Sequence, residues 1–260
     1  MTTLDLTPYR INHFSQFGED GIVEKLMQLA GITDGWLVEF GAWDGIHLSN
    51  TRWHWLNNKK FGLMLIEENK ARFEQLVKNY YTPNCGIVLI NQTIELYGDN
   101  SLNRLFSYFD DRDLSLEYHE YESCILDGFA LLSIDVDGGD LEIWLSLDKT
   151  KYRPKIVIIE SGAWKDLKAL DYLNKCFTDY GYNLVCVTGN YIFVRSDLGI
   201  SSNMSIHELL DTSGCLDYDI YKGRITQEQY DDIAFRMYHI DENPDIYTTL
   251  AKPQIININD

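Results

Sequence analysis

The sequence predicts an α/β protein: a doubly wound, mostly parallel sheet of seven strands with a C-terminal helical cap. Three observations carry this. Short apolar runs rich in Val, Ile and Leu recur between residues 36 and 195, as in strands buried on both faces. Stretches of helical length and pattern separate most of them. The last two runs are parted only by Gly189 and Asn190, too few residues for a crossover, so they form an antiparallel hairpin.

Taken in order, the first helix spans Glu19–Ala30, with Ser15 as its cap and Glu19 and Asp20 suited to the positive end of its dipole. A strand at Trp36–Phe40 leads through a glycine turn to a helix over Asn50–Asn57. Strand Gly62–Glu67 precedes helix Asn69–Tyr80, and strand Gly86–Asn91 precedes helix Ser101–Phe109. Strand Ala130–Asp135 is followed by helix Asp140–Leu147, capped by Asp140, and strand Lys155–Glu160 by helix Trp164–Tyr180. Strands Asn183–Thr188 and Tyr191–Arg195 make the hairpin. Residues 1–196 thus form the α/β domain. Residues 197–260 are more polar and form a cap or extension, with helices near Ser205–Asp211 and Thr226–Arg236.

Charge narrows the function. Across 260 residues, 22 Lys and Arg face 40 Asp and Glu, a formal net charge of -18. Such a field repels polyanions, so nucleic acid and anionic membrane surfaces are not expected partners. The five cysteines lack metal-like spacing and read as free thiols of a reducing compartment. The N-terminus has no signal-peptide pattern, and no apolar run approaches the roughly 18 residues of a membrane span. A cytoplasmic protein is expected; oligomeric state is left open.

Open α/β sheets bind ligands at the carboxyl ends of their strands. The first strand delivers Glu39, Gly41, Ala42, Trp43, Asp44 and Gly45 there, the second Glu67, the third Gln92 and Thr93, the fourth Asp135 and Asp137, and the fifth Glu160. Glu67 lies 22 residues beyond Gly45, where a carboxylate accepts hydrogen bonds from ribose hydroxyls. The turn is G-A-W-D-G, however, and Trp43 and Asp44 would obstruct or repel a diphosphate. The ligand expected is therefore a nucleoside with a zwitterionic amino-acid arm, which S-adenosylmethionine fits. Asn50 is placed near that arm and Gln92 near the base. Asp135 is placed at the amino-acid end or the reacting group.

Four stretches, "SQFGEDGI" (15–22), "LVEFGAWDGIHLSNT" (37–51), "LMLIEEN" (63–69) and "LLSIDVDGGDLEIW" (131–144), together resemble the FkbM-like branch of class I methyltransferases over roughly residues 15–195. The resemblance implies a Rossmann-like fold, S-adenosylmethionine as cofactor, and Gln16 and Glu19 approaching the active site. It points to O- or N-methylation of a small polar acceptor, such as a sugar or a precursor of surface polysaccharide or secondary metabolites. Trp43 stands where the class pattern has a middle glycine.

Asp137 and Glu160 are the expected proton acceptors. Asp135, Asp137 and Glu160 could instead hold a divalent cation, but an Asp-Asn pair is missing after the fifth strand, so no metal is assigned. His47 reads as a loop residue, and "LEYHEYE" (116–122) as a solvated helix face or a substrate lid. Two rivals stand beside the methyltransferase: a nucleotide-sugar or NAD-linked enzyme, disfavoured by the missing G-x-G-x-x-G, and a non-catalytic nucleoside-binding module.

Overall fold

The computed structural model describes residues 4–80, 86–110 and 128–238. Seven strands form one sheet: β1 (Gly35–Phe40), β2 (Phe61–Glu67), β3 (Ile87–Asn91), β4 (Phe129–Ile134), β5 (Ile156–Glu160), β6 (Tyr182–Val187) and β7 (Asn190–Arg195). Their spatial order is β3-β2-β1-β4-β5-β7-β6. The first five run parallel, while β7 pairs antiparallel with both β5 and β6. The doubly wound sheet with a terminal hairpin is therefore present, and chain order reverses between β1 and β4.

Side-chain alternation explains why both faces are covered. Leu37, Leu63, Leu65, Leu131, Ile156 and Ile158 point to one face. There they meet Ile22, Val23 and Leu26 of α1 (Glu19–Ala30), Trp55 of α2 (Arg52–Asn57) and Leu76 of α3 (Lys70–Tyr80). Trp36, Val38, Phe40, Met64, Leu132 and Val157 point to the other. That face receives Phe106 of α4 (Leu102–Asp110), Trp144 of α5 (Asp140–Ser146) and Phe177 of α6 (Leu167–Thr178). Trp144, Phe177 and Phe193 stack in series, with centroids 4.3 and 3.7 Å apart. This face-to-face column ties α5 and α6 to β7.

Three sequence-based expectations change in detail. The helix expected over 164–180 is a 3-10 turn (Gly162–Lys165) followed by α6, because the Asp166 side chain accepts from Lys168 N and restarts the helix. Asp140 does not cap α5; Gly139 occupies the cap, and Asp140 reaches back to accept from Val136 N at 2.8 Å and Gly138 N at 3.2 Å. Between α7 (Ile206–Asp211) and α9 (Gln227–Tyr238) lies an unexpected α8 (Leu216–Tyr221). Leu209, Leu210, Cys215 and Tyr218 from this region are buried in the same core as Phe177 and Phe193. No described helix is long and apolar enough to cross a membrane.

The chain before α1 is held by two buried carboxylates. Asp20 Oδ2 accepts from the amides of His13, Phe14 and Ser15, and Ser15 Oγ accepts in return from Asp20 N. Glu19 accepts from Phe17 N at 2.6 Å and, across the sheet, from Thr188 Oγ1 at 2.5 Å and Asn190 Nδ2 at 3.2 Å. Gly189 completes the junction, since a Cβ there would lie 1.9 Å from Phe17 Cε2.

Removing Glu19 would strand buried donors on both sides of this junction. Glu19→Ala should lower the unfolding free energy by about 2–4 kcal/mol in urea titration. The exposed neighbour of the ribose-site candidate, Glu68, should change it by less than about 0.5 kcal/mol when replaced by Ala. Equal losses would show that the hairpin does not depend on Glu19.

Candidate active site

A cavity of about 860 Å³ opens at the carboxyl ends of β1, β2, β3, β4 and β5, over the point where chain order reverses. Gln16, Glu39, Gly41, Ala42, Asn50, Glu67, Gln92, Asp135, Asp137 and Glu160 all line it. Asp44 and Gly45 do not. Glu19, buried beneath the hairpin, is also off the wall.

The glycine turn is built around Glu39. Its carboxylate accepts from Ser49 Oγ (2.7 Å), Thr51 Oγ1 (2.6 Å) and Asn50 N (2.7 Å). Burial pushes its pKa up, against the downward pull of those three donors. Asn50 is thereby placed so that Nδ2 donates to Ser133 Oγ on β4 at 3.0 Å, while the buried Oδ1 has no partner. Gly41 is required by close approach: a Cβ would stand 1.6 Å from the carbonyl oxygen of Asp135.

Asp44 and Gly45 have structural work behind the wall. Asp44 accepts from Ile46 N, His47 N and His47 Nδ1 at 2.8, 2.9 and 2.5 Å. Burial would raise its pKa, but these bonds outweigh it and hold the carboxyl low. The Tyr80 ring packs on Gly45 and its hydroxyl donates to the Gly45 carbonyl at 2.5 Å.

At the end of β2, buried Glu67 accepts from Trp43 N (2.9 Å) and Asn69 N (2.7 Å), joining the glycine turn to the second strand. A carboxylate has lone pairs beyond these two bonds. Gln92 Nε2 is buried without a partner on the same side. Among the described residues, the non-glycine positions with positive φ are Trp43 (50°), Leu48 (55°) and Asp137 (56°), and all three line this cavity. Strained backbone gathered in one place is a mark of a functional site.

Trp43 adopts the left-handed conformation that a glycine would take, and the Arg72 guanidinium lies over its ring at 4.5 Å. Arg72 and His47 are wall residues missed in the sequence. Arg72 sits on an ordinary amphipathic helix and left no local signal. His47 did leave one, an acid three residues before it, which pairs with it here.

The opposite wall is acidic. Oxygens of Asp135 and Glu160 lie within 4.8 Å of each other, and burial followed by the charge of Glu160 pushes Asp135 up to about 8; Glu160 is raised chiefly by burial. The two carboxyls therefore hold one proton between them near neutrality. The oxygens of Asp135, Asp140 and Glu160 lie within 4.8 Å of one another, so Asp140, not exposed Asp137, completes the hard-oxygen group of this wall. The 116–122 stretch lies outside the described residues.

A carboxyl whose folded pKa is raised stabilises the fold while protonated, and that contribution is lost as pH rises toward the folded value. Asp20, raised to about 6 mainly by burial, finishes its loss first; Asp135 continues to about 8. Asp135→Asn should therefore gain melting temperature over the wild type as pH increases from about 6 to about 8. A difference independent of pH, read by scanning fluorimetry, would remove the shared proton.

No protein-family model and no curated protein matches this sequence. Solved structures overlay it distantly. A candidate caffeoyl-CoA O-methyltransferase from Staphylococcus aureus matches with a TM-score of 0.42 and 12% identity, over 70% of this chain and 84% of the other. TrmK from M. capricolum, in complex with S-adenosylhomocysteine, matches with a TM-score of 0.38 and 12% identity, over 86% and 97%. The precorrin-6y C5,15-methyltransferase of Geobacter metallireducens GS-15 does so at 0.38 and 11%, over 66% and 84%. Overlap of this extent at such identity assigns neither cofactor nor substrate, since folds of this kind serve many chemistries.

Proposed function

We propose that the protein is an S-adenosylmethionine-dependent methyltransferase acting on oxygen or nitrogen of a small polar acceptor. The observation that carries this reading is Glu67: a buried carboxylate at the end of β2, bonded to the glycine turn of β1 and facing the cavity at the switch point. The donor set suits a nucleoside with an amino-acid arm. Glu67 would accept from ribose hydroxyls, Gln92 Nε2 would donate to the base, and the open Oδ1 of Asn50 would accept from an ammonium. Seven carboxylic side chains line the cavity (Glu39, Glu67, Glu68, Asp135, Asp137, Glu142 and Glu160) against the single arginine Arg72. That balance disfavours the pyrophosphate of a dinucleotide and so the NAD-linked or nucleotide-sugar alternative.

Bound there, S-adenosylmethionine supplies an electrophilic methyl group. The chain's contribution is mainly positioning. The 41–51 turn and β2 hold the nucleoside and arm, and Glu160, beside Asp135 on the cavity wall, accepts the proton leaving the acceptor. Asp137, further out and exposed, is the second candidate for that task. The proposal needs no metal. The FkbM-like resemblance of four motifs favours a sugar or a precursor of polysaccharide or secondary metabolites as acceptor.

Calorimetry with S-adenosylhomocysteine in chelator-containing buffer tests the cofactor. Binding in the low-micromolar range is expected, with about 2.7 kcal/mol of stabilisation at 100 times the dissociation constant. No heat and no thermal shift at millimolar ligand would end the methyltransferase reading.

Glu67→Ala should weaken that binding roughly ten- to a hundredfold, the effect of losing an acceptor for two hydroxyls together with a tie to Trp43. Affinity for S-adenosylhomocysteine equal to that of the wild type would move the ribose site elsewhere.

A further inference from the structure

A second cavity, of about 310 Å³, adjoins the first and shares Gln16, Gly138 and Glu160 with it. Its far side is formed by the C-terminal helices, through Asp217 of α8 and Tyr230 of α9. Its near side is Phe17, held in place on Gly189 by the junction around Glu19. Three regions distant in sequence thus meet around one space whose inner edge is Glu160 of the main site.

We propose that this cavity is the acceptor pocket and that it takes a compact molecule bearing an ammonium group, seated between Glu160 and Asp217. The acceptor role rests on the methyltransferase reading; the binding itself does not. Complementarity sets the class of ligand. Asp140, Glu160 and Asp217 line the space against a single Lys165, so a second anion is repelled and a cation is drawn in. Asp217 is near enough for its charge to act on Glu160. Tyr230 donates to Asp217 Oδ1 at 2.8 Å, which orients that carboxylate, and Phe17 with Tyr230 offers aromatic surface to the body of the ligand. A volume of this size suits a single ring, not an oligomer or a nucleotide.

The geometry also gives residues 205–238 a purpose. Leu209, Leu210 and Tyr218 anchor α7 and α8 in the core, and that anchoring carries Asp217 to the mouth of the cavity. Acceptor choice is then set by helices outside the parallel sheet, while the sheet holds the cofactor.

The test uses three ring-matched probes, D-glucosamine, D-glucose and D-glucuronate, in saturation-transfer NMR on the full chain at low salt, with and without S-adenosylhomocysteine. Glucosamine should bind at least about tenfold more tightly than glucose, and glucuronate should not bind. Asp217→Asn keeps an acceptor for Tyr230 and should weaken glucosamine about five- to tenfold, as expected for one charge-assisted contact in a half-open cleft. Glu228→Gln removes the same charge from an exposed position of α9 outside both cavities and should leave glucosamine binding unchanged. Equal binding of all three sugars, no binding of glucosamine, or equal losses in the two variants would overturn the proposal. Glucosamine preference that survives in a protein unable to bind S-adenosylhomocysteine would support the pocket and overturn only its role as a methyl-acceptor site.

Discussion

The site depends on one buried carboxylate, Glu39. It lies one residue before the end of β1 and is buried, where a carboxyl is stable only if hydrogen-bond partners surround it. Two hydroxyls and an amide from residues 49–51 supply those donors, and in doing so fold the chain after the glycine turn back against the strand. Everything on that wall follows from this return. Asn50 is set against β4, Trp43 faces α3, and Asp44 organises the bend between them through His47. Without those acceptor oxygens there would be no reason for so polar a loop to lie under the sheet edge.

The opposite wall works by concentration of like charge. Asp135, Asp140 and Glu160 stand so close that they cannot all ionise freely. Asp140 is relieved by two amides of the 136–138 turn, which bend sharply enough to put Asp137 at positive φ. Asp135 and Glu160 are relieved by a shared proton. A pair in that state is poised to accept a proton or a cation, and its Glu160 member faces both cavities.

The hairpin is the third support. Because β7 inserts antiparallel beside β5, its turn comes back to the carboxyl edge of the sheet instead of leaving the domain. Glu19 binds that turn to the segment before α1, so the "SQFGED" motif acts in two layers. Glu19 and Asp20 hold the loop, and Gln16 and Phe17 face the cavities. The motif resembles an active-site signature because its structural acids position its exposed members.

Much of the fold was legible in the chain itself. Continuous apolar runs define strands buried on both faces, and the two-residue gap at Gly189 and Asn190 forces the hairpin, because these are local consequences of burial and of chain length. The placement of Glu67 and Asp135 at strand ends was equally local. What the sequence could not decide is which acids face inward. Asp44 shares a short acidic turn with site residues, yet it bonds to nearby backbone amides and lies off the cavity wall, a choice made by backbone direction at Trp43. Nor could it place Arg72 on the wall of the first cavity, or Phe17 and Asp217 on that of the second. They come from a helix, a loop and a C-terminal segment with no shared pattern, and only packing of the two sheet faces brings them together. Local chemistry was written in the order of residues; the company each charge keeps was decided by the tertiary fold, because electrostatic neighbours are set by distance in space and not along the chain.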